Sequence, residues 1–169
     1  MFRRILPAVL ATALLAIAAP SRADFNDGAV AYSMGDYERA LQTLRPLAET
    51  ANHAYAQYYL GVMYMNGQGV PQDFKQAAKW LRSAAEKGVS SAQSKLAQLY
   101  IDGRGVPRDM EFAFAWLSTS VKLGNARAAA MLEQARAKMS AGELAQAEKL
   151  AAEYVARYGT VPKETSRAQ

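Results

Sequence analysis

The chain has 169 residues, of which 20 are basic, 15 are acidic and 51% are hydrophobic. It contains no cysteine, which excludes disulfide bonds, thiolate metal sites and a lipid attached to an N-terminal cysteine. The length suits one domain with a continuous core, and the absence of a concentrated basic stripe argues against a nucleic-acid partner.

The first 23 residues have the pattern of a secretory signal peptide. Arg3 and Arg4 precede an apolar run over residues 5–19, and Ser21 and Ala23 place small residues where a signal peptidase reads the chain. The apolar run is shorter than the roughly 20 residues that span a bilayer. We expect cleavage after Ala23, a periplasmic or secreted mature protein and no stable membrane span after cleavage. An uncleaved membrane anchor is the alternative.

Cleavage would also change the charge of the protein. The signal peptide carries three of the 20 basic residues and no acidic residue, so 17 basic and 15 acidic residues remain in the mature chain. Most of the positive excess therefore belongs to the targeting segment, and the mature chain has little net charge with which to attract a polyanion.

A sequence repeat with a period of 36 residues occupies the middle of the chain. Residues 56–91 align with residues 92–127 with 13 identities. A fixed period of this length indicates stacked units that bury their apolar faces against one another. The identical residues of the first unit are Ala56, Gln57, Leu60, Tyr64, Gly67, Gly69, Val70, Pro71, Asp73, Ala77, Trp80, Leu81 and Gly88.

Each unit is predicted to be a pair of helices. Its apolar residues recur at steps of three and four, which is the spacing of one helix face. Gly67 and Gly103 suit the left-handed residue that ends a first helix. Asp73 and Asp109 suit the N-cap of the second helix that follows. The spacing therefore predicts two helical hairpins in succession.

Two further expectations concern the contacts between units. Ser90 and Gln93 have the spacing of a capping box at the start of the third of these helices. Trp80 and Trp116 are spaced helically with the apolar residues of the second helices, so we expect both indole rings to be buried between successive hairpins.

The two ends of the repeat array are less regular. Residues 25–55 look like a degenerate unit with a short turn, in which five loop residues are missing if Tyr32 is the counterpart of Tyr64. Residues 128–158 are predicted to close the array, because Ser140 and Glu143 have capping-box spacing and precede a long amphipathic helix. Residues 159–169 are polar and are expected to form a flexible tail.

The repeat resembles the Sel1-like repeat (SLR), a member of the tetratricopeptide-like superfamily. The resemblance rests on the motif A-x-x-x-L-G-x-x-Y-x-x-G-x-G-V-x-x-D-x-x-x-A-x-x-W, which runs from Ala56 to Trp80, and the second unit departs from it at Ala97. It covers about residues 25–138. The resemblance implies an all-α, tetratricopeptide-like solenoid of stacked antiparallel helix pairs with a C-terminal capping helix, and a non-catalytic role in protein–protein interaction.

Motifs that carry chemistry are absent from the sequence. The Gly-x-Gly loops have Gln72 and Arg108 where a dinucleotide fingerprint needs a third glycine. His53 has no second histidine or cysteine with which to bind a metal, so we interpret it as a capping or surface residue. Asp102 and Asp109 are interpreted as a helix end and an N-cap. We expect no enzymatic activity, no metal and no cofactor.

The first helices of successive units line the concave groove of tetratricopeptide-like proteins, so this resemblance points to a binding strip. Positions beside the packing face give Tyr55, Tyr59, Lys95 and Gln98 as the candidate residues, and aromatic residues are common in binding hot spots. Tyr58 is assigned to the core. The alternative is that Tyr55 and Tyr59 only pack on the first hairpin.

The resemblance and the signal peptide together predict a function. We expect a monomeric periplasmic scaffold, adaptor or regulator that binds a peptide or protein partner of the cell envelope in the groove. The alternative is a cell-wall (peptidoglycan) hydrolase or a wall-binding accessory protein.

Overall fold

The structure is a computed structural model that describes residues 22–162, with side chains from Asp24 onward. Within this range it is all-α, as the sequence predicts, and contains no strand. None of the helices in this range is both long and apolar enough to cross a bilayer. Most of the predicted signal peptide and the end of the predicted tail lie outside the described residues. The helices are α1 (Arg22–Ser33), α2 (Tyr37–Glu49), α3 (Ala54–Asn66), α4 (Phe74–Glu86), α5 (Ser90–Asp102), α6 (Met110–Lys122), α7 (Ala126–Arg136) and α8 (Ala141–Tyr158).

The central helices begin and end where the repeat motif predicts. Gly67 and Gly103 end α3 and α5 in the left-handed conformation, with φ of 69° and 65°. The carboxylates of Asp73 and Asp109 accept hydrogen bonds from backbone N–H groups in the first turns of α4 and α6. These caps satisfy polar groups that a helix leaves without partners at its ends, so the turns between helices are fixed by local chemistry.

The start of α5 differs from the expectation. Its N-cap residue makes no side-chain hydrogen bond, so Ser90 and Gln93 do not form a capping box. Gln93 is instead fully buried, and its Nε2 donates a hydrogen bond to the Ala85 carbonyl at 3.0 Å. The corresponding Gln57 donates to the Ala48 carbonyl at 3.1 Å. Each glutamine therefore binds the last turn of the preceding helix, and the repeated residue joins one unit to the next.

The first hairpin, α1 and α2, is a shortened unit. A Cβ atom added to Gly28 would collide with Leu44, and one added to Gly61 would collide with Leu81, so these two contacts correspond. Gly28 and Leu44 are 16 residues apart, whereas Gly61 and Leu81 are 20 residues apart. The first turn is therefore shorter by four residues rather than five. The tyrosine used in the sequence alignment lies one residue beyond the matching position.

The two repeated tryptophans have different surroundings. Trp116 is only 2% exposed, and its ring lies 4.8 Å from that of Tyr154 and 5.2 Å from that of Tyr158. Trp80 is half-buried, and the Lys79 ammonium lies 5.5 Å from its ring centroid. The prediction of burial is confirmed for Trp116 and wrong for Trp80, because α8 covers only the second of them.

The last helix caps the array. The predicted capping box of Ser140 and Glu143 is present at the start of α8. The helix packs on α6 with Ala147 and Ala151 buried. Beyond α8 the chain passes the turn between α4 and α5, where the Tyr158 carbonyl accepts a hydrogen bond from Gln93 Nε2 at 3.2 Å. Residues 159–162, the described part of the predicted tail, end in a buried proline.

Residues 160–162 pack on the turn between α4 and α5, and substitutions at two equivalent glycines can test whether this contact stabilises the protein. Gly88 and Gly124 have φ of 86° and 82°, but a Cβ atom at Gly88 would meet the backbone of Thr160 whereas one at Gly124 has nothing within 4 Å. We expect Gly124→Ala to lower the free energy of unfolding by about 1 kcal/mol, the cost of a left-handed alanine. Gly88→Ala should cost about 1 kcal/mol more, because it also displaces the tail. Urea unfolding measures both, and equal losses would contradict a stabilising tail contact.

Candidate functional site

A cleft lies between the first helices of three successive hairpins. It is bounded by α3, α5 and the beginning of α7, and its volume is about 300 Å³. The side chains that line it are polar, basic or sulfur-containing. They are Tyr58, Met65, Ser91, Ser94, Lys95, Gln98, Asn125, Arg127 and Met131.

The structure separates the four predicted strip residues into two pairs. Lys95 and Gln98 line the cleft. Tyr55 and Tyr59 are half-buried on the side of α3 that faces α1, where the Phe25 ring lies 6.2 Å from the first and 6.1 Å from the second. The two tyrosines therefore pack on the first hairpin, which was the alternative interpretation. A role of any of the four in binding stays a prediction.

Two cleft residues were missed because the 36-residue shift was applied only once. Arg127 and Met131 lie 36 residues after Ser91 and Lys95, and all four line the cleft. The array continues into α7, so the first-helix face continues with it. A second application of the same shift would have identified both residues from the sequence.

Tyr58 was assigned to the core, but it also lines the cleft. It is half-buried and packs against the apolar core that α5 and α6 share. Burial, and next to it the neighbouring Tyr59, raise the pKa of the Tyr58 phenol above its ordinary value of 10.0. The neutral hydroxyl can donate or accept a hydrogen bond. The sequence did indicate that Tyr58 is not purely a core residue. The residue 36 positions later is Ser94, which is polar, whereas a core position would carry an apolar residue.

Two cations lie close together in the cleft without a compensating carboxylate. Burial, and next the Arg127 guanidinium, lower the pKa of Lys95 below its ordinary value of 10.5. Among the described residues neither side chain makes a hydrogen bond or an ion pair. Arg127 is the second residue of α7 after the N-cap Asn125, where the helix dipole disfavours a positive charge. Folding alone therefore gains nothing from these charges.

The other polar candidates have structural partners. Asp109 caps α6, and Asp102 Oδ1 accepts a hydrogen bond from Gln98 Nε2 at 2.9 Å. His53 Nδ1 accepts one from the Ala56 N–H at 3.2 Å, which confirms the capping role for this histidine. Across the described part of the chain, no group of three histidine, aspartate or glutamate side chains is placed to share a metal ion.

Comparison with known proteins agrees with this architecture. The sequence profile of the Sel1 repeat matches residues 54–89 and 90–125, so each matched unit starts two residues before the units defined above. A solved protective antigen present in uropathogenic Escherichia coli strains, which displays an SLR fold, is similar at 33% identity over 81% of this chain, with a TM-score of 0.77. A solved Sel1 repeat protein from Oxalobacter formigenes is similar at 26% identity over 77% of this chain, with a TM-score of 0.61. No curated protein matches the chain significantly.

These matches, with the helix pairs described above, define what the middle of the chain is built from. The chain contains two Sel1 repeats, and its all-α array of stacked helix pairs is similar to solved structures with the SLR fold. It spans 30% of the length of the E. coli antigen and 55% of that of the O. formigenes protein. Sel1 repeats generally mediate protein–protein interaction, and proteins built from them are generally non-catalytic scaffolds.

The two unpaired cations predict an unusual effect on stability. Arg127→Glu removes a cation from the first turn of α7 and places an anion near Lys95, and both changes are favourable. We expect the free energy of unfolding to rise by about 1 kcal/mol in low salt, and by less in 1 M NaCl because the gain is electrostatic.

Lys149→Glu is the matched control for this measurement, since it makes the same charge change at an exposed site in the middle of α8. We expect it to change stability by less than about 0.5 kcal/mol. A loss of stability in Arg127→Glu would show that the arginine is a structural residue.

Proposed function

We propose that the chain is a non-catalytic periplasmic scaffold or adaptor that binds an extended segment of a protein partner in the cleft between α3, α5 and α7. The observation that carries this proposal is the cleft itself, which lies on the first-helix face and contains two basic side chains without an acidic partner among the described residues. A volume of about 300 Å³ lies at the lower end for ligand sites, so it suits a few side chains of a peptide.

The chemistry of the cleft suits a peptide. Tyr58 and Gln98 offer a hydroxyl and an amide for hydrogen bonds to a main chain. Met65 and Met131 offer flexible apolar surfaces that adapt to different side chains. A segment longer than the cleft would continue over Tyr55 and Tyr59, which keep part of their surface exposed on the neighbouring side of α3.

The proposal includes export from the cytoplasm. Cleavage after Ala23 would remove the first two residues of α1 and leave Asp24 as the new N-terminus. We expect Edman sequencing of the protein purified from the periplasm to begin at Asp24. Recovery of the chain with its N-terminal methionine intact, in the cytoplasmic or membrane fraction, would contradict this part of the proposal.

Site-specific photocrosslinking tests the binding surface. We expect a crosslinking amino acid at Ser91, at the exposed edge of the cleft, to give a discrete protein adduct in cells that naturally produce the chain. The same amino acid at Gln146, exposed on α8, is the control and should not give this adduct. Lys95→Ala with Gln98→Ala should reduce the Ser91 adduct at least about tenfold, as expected if the two contribute roughly 1.4 kcal/mol.

Two results would overturn the proposed surface. One is the same adduct from Ser91 and Gln146, and the other is a Ser91 adduct that the double substitution leaves unchanged. Release of soluble fragments from purified peptidoglycan by the same protein would instead favour the cell-wall enzyme.

A further inference from the structure

The cations of the cleft differ from two other basic side chains, Lys87 and Arg136, which have polar partners. Lys87 Nζ donates to Asn52 Oδ1 at 2.7 Å, and Arg136 Nη1 lies 2.8 Å from Glu148 Oε1. Lys95 and Arg127, by contrast, have no hydrogen-bonding or ion-pair partner among the described residues. The cleft therefore brings two basic side chains close together without an acidic partner among the described residues.

Carboxylates are also missing from the walls of the cleft. None of the described residues that line it is acidic. Along α5, Asp102 is seven residues from Lys95, which is about 10 Å along a helix, and it accepts the hydrogen bond from Gln98. Asp102 is the only acidic residue of α5, and it is not among the residues that line the cleft. The positive potential of the cleft is therefore available to a ligand.

We propose that the cleft selects an acidic peptide, in which an aspartate or glutamate carboxylate lies between Lys95 and Arg127 and an adjacent apolar side chain lies on Met65 and Met131. The inference rests on the proposed function and specifies its ligand. A guanidinium binds a carboxylate through two parallel hydrogen bonds, and an ammonium adds a third. The Tyr58 hydroxyl provides one more donor at the cleft.

The partial burial of Lys95 makes the site selective. A charge pair inside a cleft is less screened by salt than one on an open surface, and leaving a buried cation unpaired is costly. A neutral or basic peptide would leave that cost in place or increase it, whereas an acidic one offsets it. The positive charge of the cleft thus favours an acidic ligand and disfavours neutral and basic ones.

Selection from a random heptapeptide library displayed on phage tests this inference with the purified chain. The parent protein should enrich peptides in which Asp or Glu adjoins an apolar residue. The variant Lys95→Glu with Arg127→Glu should instead enrich peptides with Lys or Arg at that place. The control, Lys75→Glu with Lys149→Glu, makes the same change in net charge at exposed sites on α4 and α8, and should keep the preference of the parent.

Binding of one enriched peptide, synthesised with blocked termini, gives the quantitative readout. Isothermal titration calorimetry should show Kd at least about tenfold weaker for Lys95→Gln with Arg127→Gln, which keeps the size of the side chains and provides a variant without new charges. Raising NaCl from 0.05 M to 0.5 M should weaken binding to the parent more than binding to this variant.

The outcomes separate the inference from the proposed function. Enriched peptides that lack acidic residues but still lose binding on Lys95→Gln with Arg127→Gln would overturn the charge selection and leave the cleft as the binding site. An unchanged acidic preference in the charge-reversed protein would overturn it as well. A parent protein that enriches no peptide would count against both.

Discussion

The close contact between the two helices of a hairpin is the constraint on which the structure depends. Leu44 and Leu81 each occupy the space where a side chain at Gly28 or Gly61 would have been. Interiors are packed at crystal-like density, so such a contact admits one axial position of the two helices and excludes its neighbours. The leucine–glycine contact therefore fixes which face of α1 and α3 turns inward, and the small, fully buried Ala97 occupies the same position in α5.

A second interaction, a buried hydrogen bond, fixes the position of each hairpin on the one before it. The buried amides of Gln57 and Gln93 each bind a carbonyl at the end of the preceding helix. A hydrogen bond in a dry contact is costly to break, so the unit-to-unit geometry is restricted as well. Since the small residue (Gly61 or Ala97) and the buried glutamine both belong to the repeat, the side chains on the opposite face are free to vary. Tyr55, Ser91 and Arg127 occupy that face at equivalent positions.

The cleft contains two basic residues at positions that the repeat leaves free to vary. Lys95 on α5 and Arg127 on α7 lie close together, the first partly buried and the second in the first turn of its helix. Neither position favours a cation in the isolated protein. Functional sites commonly retain groups that reduce stability when those groups gain their favourable contacts only with a ligand. The arrangement connects the repeat architecture with the proposed recognition of a partner.

The sequence by itself determined the repeat, the helix pairs and most of their caps, because each depends on residues within one unit, whereas the capping box expected at Ser90 and Gln93 is not formed. The spacing of Gly67 and Asp73 was sufficient to place a helix end and a helix start. The resemblance to tetratricopeptide-like proteins, combined with the repeat register, placed Lys95 and Gln98 on the groove, and a second use of that register would have added Arg127.

Only the tertiary structure decided which residues the irregular ends of the array cover. The α1 helix covers Tyr55 and Tyr59, and α8 covers Trp116 but leaves Trp80 half-exposed. The physical reason is that the burial of a side chain depends on what packs on it from outside its own unit. The periodic signal is weak for these two helices, because α1 belongs to a shortened unit and α8 lies beyond the regular repeats.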